Sequence, residues 1–369
     1  MPSVEPSKSR EIPLDFTADL YKEKMDFYML VYDETPMNQR DKSVMRSMLD
    51  QNDLPRVRTL VGEVTDAVLD AAEGSAGWVD LVGDISRRVP AHLVERYFGF
   101  HHHDHSVLIR WSRAVQFDTY HNQPFDGRLD HDQLRQQNED ANREMKEYLA
   151  ILVRQKLTDL QGDPEADDIF SHLLRTKFPE SIGSDMERLV INIGGLLIGA
   201  IETASQAVAQ IIDQLLDQPE MLDSARQSAA GDHRYFDMFC WEALRFKASL
   251  PYFFRIAGRD YTLGRGTDRA HSIASGTTVL PLVMSAIFDQ RAVESPEAFC
   301  TDRSPYLYEL HLGYGHHRCL GDHVAKVMIA EITRRVLLRD ICRAAGADGQ
   351  LDFQGGPFPE RMILELGTA

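Results

Sequence analysis

The stretch from Met186 to Leu216 constrains the fold more than any other. It is the longest apolar, helix-patterned run in the chain, and a helix apolar on most faces must lie inside the protein. Its middle reads Gly199-Ala200-Ile201-Glu202-Thr203-Ala204, which sets an acid and a hydroxyl at the centre of a buried helix. An unpaired buried carboxylate costs several kcal/mol, so Glu202 needs a partner there. In one arrangement Thr203 bonds back to the carbonyl four residues earlier while Glu202 faces an internal water or a cation. In the other the pair is a functional site.

A second stretch carries chemistry. Leu312-Gly313-Tyr314-Gly315-His316-His317-Arg318-Cys319-Leu320-Gly321 precedes the apolar run Val324 to Leu338. A cysteine between glycines just ahead of a helix can be a metal thiolate, because amide N–H groups and a helix N-terminus stabilise negative charge on sulfur. For an isolated Gly-x-Cys-x-Gly, a buried structural cysteine is the commoner reading.

The full stretch resembles the haem-binding loop of the cytochrome P450 family, Phe-Gly-x-Gly-x-His-x-Cys-x-Gly. Gly313, Gly315, His317, Cys319 and Gly321 match in register, and Leu312 replaces the usual Phe, a ring that normally shields the sulfur. The resemblance implies that Cys319 is the proximal thiolate of a b-type haem (iron protoporphyrin IX) and that His317 holds a propionate.

Three further motifs follow in the family's order. Gly199 to Thr203 is similar to Ala/Gly-Gly-x-Asp/Glu-Thr, where small residues let the helix open over the haem; this implies that Glu202 and Thr203 deliver protons and that Ile198 and Gly199 face the substrate. Lys42-Ser43-Val44-Met45-Arg46 sets two cations four apart on one helix face, where the family has His-x-x-x-Arg for a propionate. Arg46 fits that pattern, and Lys42 supplies charge without imidazole geometry. Glu242-Ala243-Leu244-Arg245 matches the family's Glu-x-x-Arg, completed by Arg303, a structural trio. By the same resemblance Arg255 is another propionate-binding arginine, and Leu250, Tyr252 and Phe253 line the pocket opposite the long helix.

Elsewhere the periodicity predicts core elements. Val57, Leu60, Val61, Val64 and Val68 give an amphipathic helix over Leu54 to Leu69, and Trp78 to Phe98 reads as a second helix. Gln133 to Leu160 is a long helix, Leu250 to Gly276 is β-structure, and Arg361 to Leu366 is a last strand. The run His101-His102-His103-Asp104-His105 can in principle bind a transition metal, but nothing near it in sequence supplies a cysteine or a spaced carboxylate set, so it reads as a polar loop. Asp118 to His131 is another loop, and by the resemblance it lies over the substrate pocket.

The chain's 369 residues, 43% hydrophobic and 26% charged, are enough for a large core in a soluble globular protein. The formal charge of −17 argues against non-specific nucleic-acid binding. His316, Arg318, His323 and Lys326 around Cys319 form either a local basic patch or an ordinary solvated face. The sequence shows no uncharged apolar run of about eighteen residues for a membrane span and no apolar leader, which predicts a cytoplasmic location. Cys240, Cys300, Cys319 and Cys342 lack the spacing of a zinc site or a disulfide scaffold.

The expected protein is mainly α with a minor β part, in the cytochrome P450 fold, with an atypical segment over 1–36 and a haem-binding catalytic domain over 37–369. The resemblance implies a reduced or missing N-terminal β lobe, whose open side a homodimer or a carrier protein could cover. It also implies a monooxygenase acting on a small to medium apolar substrate. Electrons would come from a separate ferredoxin-type donor, since no Gly-x-Gly-x-x-Gly nucleotide fingerprint occurs. Two rivals remain at this point: a peroxide- or hydroperoxide-using enzyme of the same fold, and a non-catalytic haem sensor or carrier.

Overall fold

The computed structural model describes residues 14–15, 36–123, 126–178, 186–253 and 255–367. Its helices, in chain order, are α1 (Pro36–Met48), α2 (Leu54–Glu73), α3 (Arg88–Leu93), α4 (His105–Gln116), α5 (His131–Gly162), α6 (Ile169–Arg175), α7 (Met186–Ala200), α8 (Glu202–Leu216), α9 (Pro219–Ala229), α10 (His233–Phe246), α11 (Val283–Ile287), α12 (Pro305–Glu309) and α13 (Asp322–Leu337). The strands are β1 (Leu14–Asp15), β2 (Trp78–Asp80), β3 (Arg255–Ala257), β4 (Tyr261–Leu263), β5 (His271–Ile273), β6 (Thr278–Val279), β7 (Ile341–Arg343) and β8 (Ile363–Leu366). Among the described residues they form three small antiparallel sheets, ordered β1-β3-β6, β2-β8-β7 and β4-β5. The class is the expected one, mainly helical with a minor β part.

Helix boundaries follow local chemistry. Asp130 caps α5 through the Gln133 amide at 3.0 Å, Asp168 caps α6 through the Ser171 amide at 2.8 Å, and Asp232 caps α10 through the Arg234 amide at 2.9 Å. Proline opens α9 at its first position, where the missing N–H costs nothing.

The central pair α7 and α8 has α13, α10 and α4 packed around it, and Ile193, Leu197, Val208, Ile211, Ile212 and Leu215 are wholly buried. Segment Arg188–Leu216 is long and apolar enough to cross a membrane by length and composition, yet 83% of its most apolar window is enclosed by protein. Its apolarity is therefore accounted for by the core. Next to it, Glu242 accepts from Arg245 at 2.8 and 3.0 Å, Arg303 at 3.1 Å, the Tyr308 hydroxyl at 2.9 Å and the Cys300 amide at 2.9 Å, so the trio is a buried structural node.

The sequence reading differs from the structure over 78–98. Instead of one helix, Trp78–Asp80 forms β2, which pairs antiparallel with β8 in the register Trp78↔Glu365, Asp80↔Ile363. Gly77, at φ +70°, turns the chain out of α2, and the Asp80 carboxylate then caps the next helical turn through the Val82 amide at 3.0 Å. Val79 is buried in both readings, so its apolar character could not tell strand from helix. Beyond it the chain runs through α3 flanked by two wide π-type turns, Leu81–Ser86 and Val94–Phe98. The loop expected from Asp118 starts later, because α4 continues through a π-type turn over Phe117–His121; Pro124 and Phe125 of that loop lie outside the described residues. Of segment 1–36, Leu14–Asp15 pairs with β3 and Pro36 opens α1, and the rest of it lies outside the described residues.

Candidate active site

The cysteine loop is a tight excursion before α13. The Cys319 amide donates to the Leu312 carbonyl at 2.7 Å, closing the loop on itself. Gly313, at φ +80°, has the His317 carbonyl oxygen 2.9 Å from where a Cβ would sit, so both its conformation and its surroundings require glycine. Burial pushes the Cys319 thiol above its ordinary range; the Gly321 N–H and the charges of Lys42 and Arg318 oppose this, and Asp322 adds to it. A cation bound at the sulfur overrides that balance, since a coordinating thiol loses its proton outright.

Lys42 meets this loop from α1. Its buried ammonium donates to the His316 carbonyl, and burial, then the charge of Arg46, lowers its pKa. Where the resemblance put Lys42 on a propionate, the structure has it tying α1 to the backbone of the cysteine loop. Arg46, one turn on, is exposed.

The central helix breaks at the acid–hydroxyl pair. α7 ends at Ala200, Ile201 takes φ −82° and ψ −68°, and α8 begins at Glu202. The Ile198 carbonyl at the break is taken by Ser112 Oγ at 2.8 Å and Gln116 Nε2 at 2.7 Å, both from α4. Gly199 is exposed within an otherwise buried run, and among the described residues no atom outside its own helix backbone and chain neighbours lies within 4 Å of its ideal Cβ position, so the break faces open space. Thr203 donates its hydroxyl to the Gly199 carbonyl.

Glu202 is wholly buried and faces cations. Arg87 reaches it at 3.0 and 3.2 Å and Arg113 at 3.3 Å, and both guanidiniums also pair with Glu360. The first sequence arrangement, a back-bonded threonine and a cation-paired acid, is therefore the one this structure contains, although it leaves both groups at the opening of the helix. Arg113 also stacks on Phe358, 5.1 Å from the ring centre, and Phe358 touches Phe117 and His121 with centroids 5.4 and 4.9 Å apart.

Those aromatic residues lead to a cavity of about 380 Å³ lined by Phe117, Tyr120, His121, Leu250, Tyr252, Phe253, Arg255 and His317 among others. Of the residues expected from sequence, it gathers His317, Arg255, Leu250, Tyr252 and Phe253. Ile198, Gly199, Glu202, Thr203, Lys42, Arg46, Gly313, Cys319 and Gly321 do not line it. Tyr120 links the two groups: burial raises its pKa, the Cys319 charge adds to this and Arg255 opposes it, so the phenol stands within electrostatic reach of both.

This side-chain set fits a thiolate-bound haem. It offers a sulfur with an amide donor, a glycine-cradled loop, cations at Lys42, Arg46 and Arg255, and a helix that opens at a Cβ-free position. Arg87, Arg113 and Glu360 were not singled out from sequence. The signal was there in part, since a buried glutamate demands a partner, but the two arginines lie 115 and 89 residues from Glu202.

A family model for cytochrome P450 matches residues 109–339. Mycinamicin IV hydroxylase/epoxidase of Micromonospora griseorubida is 26% identical over 297 residues, 77% of this chain and 64% of that protein. Cyclomarin C epoxidase CymV of Salinispora arenicola is 26% identical over 277 residues, 74% of this chain and 62% of that protein. The chain thus spans a little under two thirds of the length of these two relatives. Among solved structures, the cytochrome P450 PksS of the bacillaene polyketide synthase of Bacillus subtilis 168 superposes with a TM-score of 0.76 at 22% identity, covering 96% of this chain and 86% of that one.

Proposed function

The chain belongs to the cytochrome P450 family, and from that premise we propose that it is a haem-thiolate monooxygenase that places one oxygen atom of O2 on a small to medium apolar substrate, by hydroxylation or epoxidation. The second oxygen atom leaves as water, which takes two electrons and two protons. The electrons come from a separate ferredoxin-type donor, and the setting is cytoplasmic. The haem, when bound, supplies the oxygen activation.

The protein's part is ligation, orientation and proton handling. Cys319 supplies the sulfur, with the Gly321 N–H to stabilise its charge. His317, Arg255 and Arg46 would hold the acidic edge of the cofactor, and Lys42 fixes the loop that carries the sulfur. Phe117, Leu250, Tyr252 and Phe253 give the cavity an apolar wall suited to a hydrocarbon skeleton. Thr203, released from the Gly199 carbonyl, presents its hydroxyl in the open break, and Glu202, on swinging away from Arg87 and Arg113, relays protons to it from solvent through water. The relatives' names, a hydroxylase/epoxidase and an epoxidase, support the reaction class.

The observation that carries this reading is the cysteine loop, whose glycine geometry and amide donor prepare one sulfur for a cation. Reduced protein under carbon monoxide should absorb at the thiolate position, and Cys319→His should move the band to the imidazole position. A wild-type band at the imidazole position overturns the assignment. With a redox partner and O2, Thr203→Ala should consume reductant while releasing hydrogen peroxide, with product lowered about 100-fold. Undiminished product from that variant would favour the peroxide-using reading.

A further inference from the structure

Away from the cysteine loop, the end of α3, the turn after it and the first residue of α4 bring three metal-ligating side chains together. His92 and Glu95 stand three apart on one helical face, and His105 approaches from the start of α4. The Glu95 carboxylate lies 2.9 Å from His105 Nε2 and 3.7 Å from His92 Nδ1, and the three ligand atoms all fall within 4.8 Å of one another. Zinc bonds of about 2.1 Å set tetrahedral ligands about 3.4 Å apart, so small side-chain rotations close this set around one ion. The imidazoles already meet edge to face with centroids 4.2 Å apart.

A second observation points to an occupant. His92 Nδ1 is buried with no hydrogen-bond partner among the described residues. A buried polar nitrogen left unpaired is costly, and a cation at the centre of the three groups gives it a bond.

We infer that His92, Glu95 and His105 form a binding site for a divalent cation of the zinc type, separate from the haem site, with water completing the tetrahedron. The loop between the helices is already pinned: Tyr148 donates to the His101 carbonyl at 3.0 Å, and Asp104 caps α4 through the Ser106 amide at 2.9 Å. A bound ion would staple the end of α3 to the start of α4. That helix carries Ser112, Arg113 and Gln116, the residues that hold the break in the central helix, so the ion would stiffen the wall of the active site. Arg88 and Arg96, exposed and within electrostatic reach of His92, weaken the site without touching its ligands.

The test titrates zinc chloride into holoprotein against a chromogenic chelator, in a Cys300→Ser/Cys342→Ser background that removes the two thiols outside the cysteine loop that are not buried. One equivalent should bind and raise Tm. His92→Gln and His105→Gln should each weaken binding ~10-fold or more and abolish the Tm rise. Glu95→Gln, which keeps the side-chain shape, should weaken it too, and retained haem absorbance verifies that each variant is folded. The triple variant His101→Gln/His102→Gln/His103→Gln should bind as the parent does. Failure of the parent to bind, binding that survives His92→Gln and His105→Gln, or binding lost only in the triple variant, overturns the site.

Discussion

The carboxylate of Glu202 and the guanidinium of Arg87 meet at 3.0 Å inside the break of the central helix, Glu202 wholly buried and Arg87 nearly so. Arg113 and Glu360 close the group into a four-membered network whose formal charges balance. Removing one partner strands a charge that the others cannot fully compensate.

The first prediction follows. Arg87→Gln should destabilise the protein by about 3 kcal/mol, the scale for breaking a buried pair, and Glu202→Gln in the Arg87→Gln background should cost much less than in the parent. Urea denaturation of the two single variants and the double variant measures the coupling. Strict additivity would show that the pair does not interact.

Glu242 carries a second charge node. Its two oxygens serve Arg245, Arg303, the Tyr308 hydroxyl and the Cys300 amide, and Arg245 is wholly buried. Glu242→Ala leaves that guanidinium without its counter-charge, so the variant should lose about 3–5 kcal/mol and accumulate little folded protein. Tyr308→Phe removes one hydrogen bond to a charged acceptor and should cost about 1.5–3 kcal/mol. The yield of folded protein for the first and a denaturation midpoint for the second check the ordering.

The glycines of the cysteine loop separate strain from contact. Gly313→Ala puts a Cβ at φ +80° and 2.9 Å from the His317 carbonyl, whereas Gly321→Ala enters open space at φ −92°. At φ +80° and ψ 172° the backbone is in a region essentially reserved for glycine, and holding alanine there alone costs about 1–3 kcal/mol. Gly313→Ala should therefore lower Tm clearly and Gly321→Ala hardly at all. Equal effects would place the sensitivity outside backbone conformation.

What the sequence made legible followed from strong local constraint. The long apolar run at Met186 to Leu216 leaves few alternatives, and it stands in the structure as the buried central helix pair; the glycine spacing around Cys319 marked a tight loop, while the conformation that requires glycine at Gly313 is a finding of the structure. Trp78 to Asp80 was read as helix because Val79 is buried either way, and only pairing with Ile363 to Glu365, far away in sequence, decides for strand. Glu202 announced that it needed a partner, a water or a cation, but Arg87 and Arg113 reach it by tertiary approach, and nothing in their own surroundings marks them. His105 was read with its neighbours as loop, whereas it opens α4 and faces His92 and Glu95, a carboxylate brought in by the preceding helix.

The last prediction concerns pH. His92, His121 and His311 each have pKa values lowered to about 4, in every case chiefly by burial; neighbouring cations add to this for His92 and His311. Unfolded histidine titrates near 6.5, so the native state resists protons that the unfolded chain takes up. Their contribution to stability is full above about 6.5 and is lost as pH falls toward 4. Asp237 acts in the opposite sense. Burial raises it to about 6, so its contribution is present below the ordinary aspartate range and is lost as pH rises through about 6. Three histidines against one aspartate leave a net loss on acidification, and Tm should fall between pH 6.5 and 4. His121→Phe, which keeps an aromatic ring against Phe117 and Phe358, should flatten that slope, and Asp237→Asn should steepen it. Calorimetric scans at half-unit pH steps measure both; a Tm that stays level or rises on acidification across this window, or a slope unchanged in both variants, would refute the account.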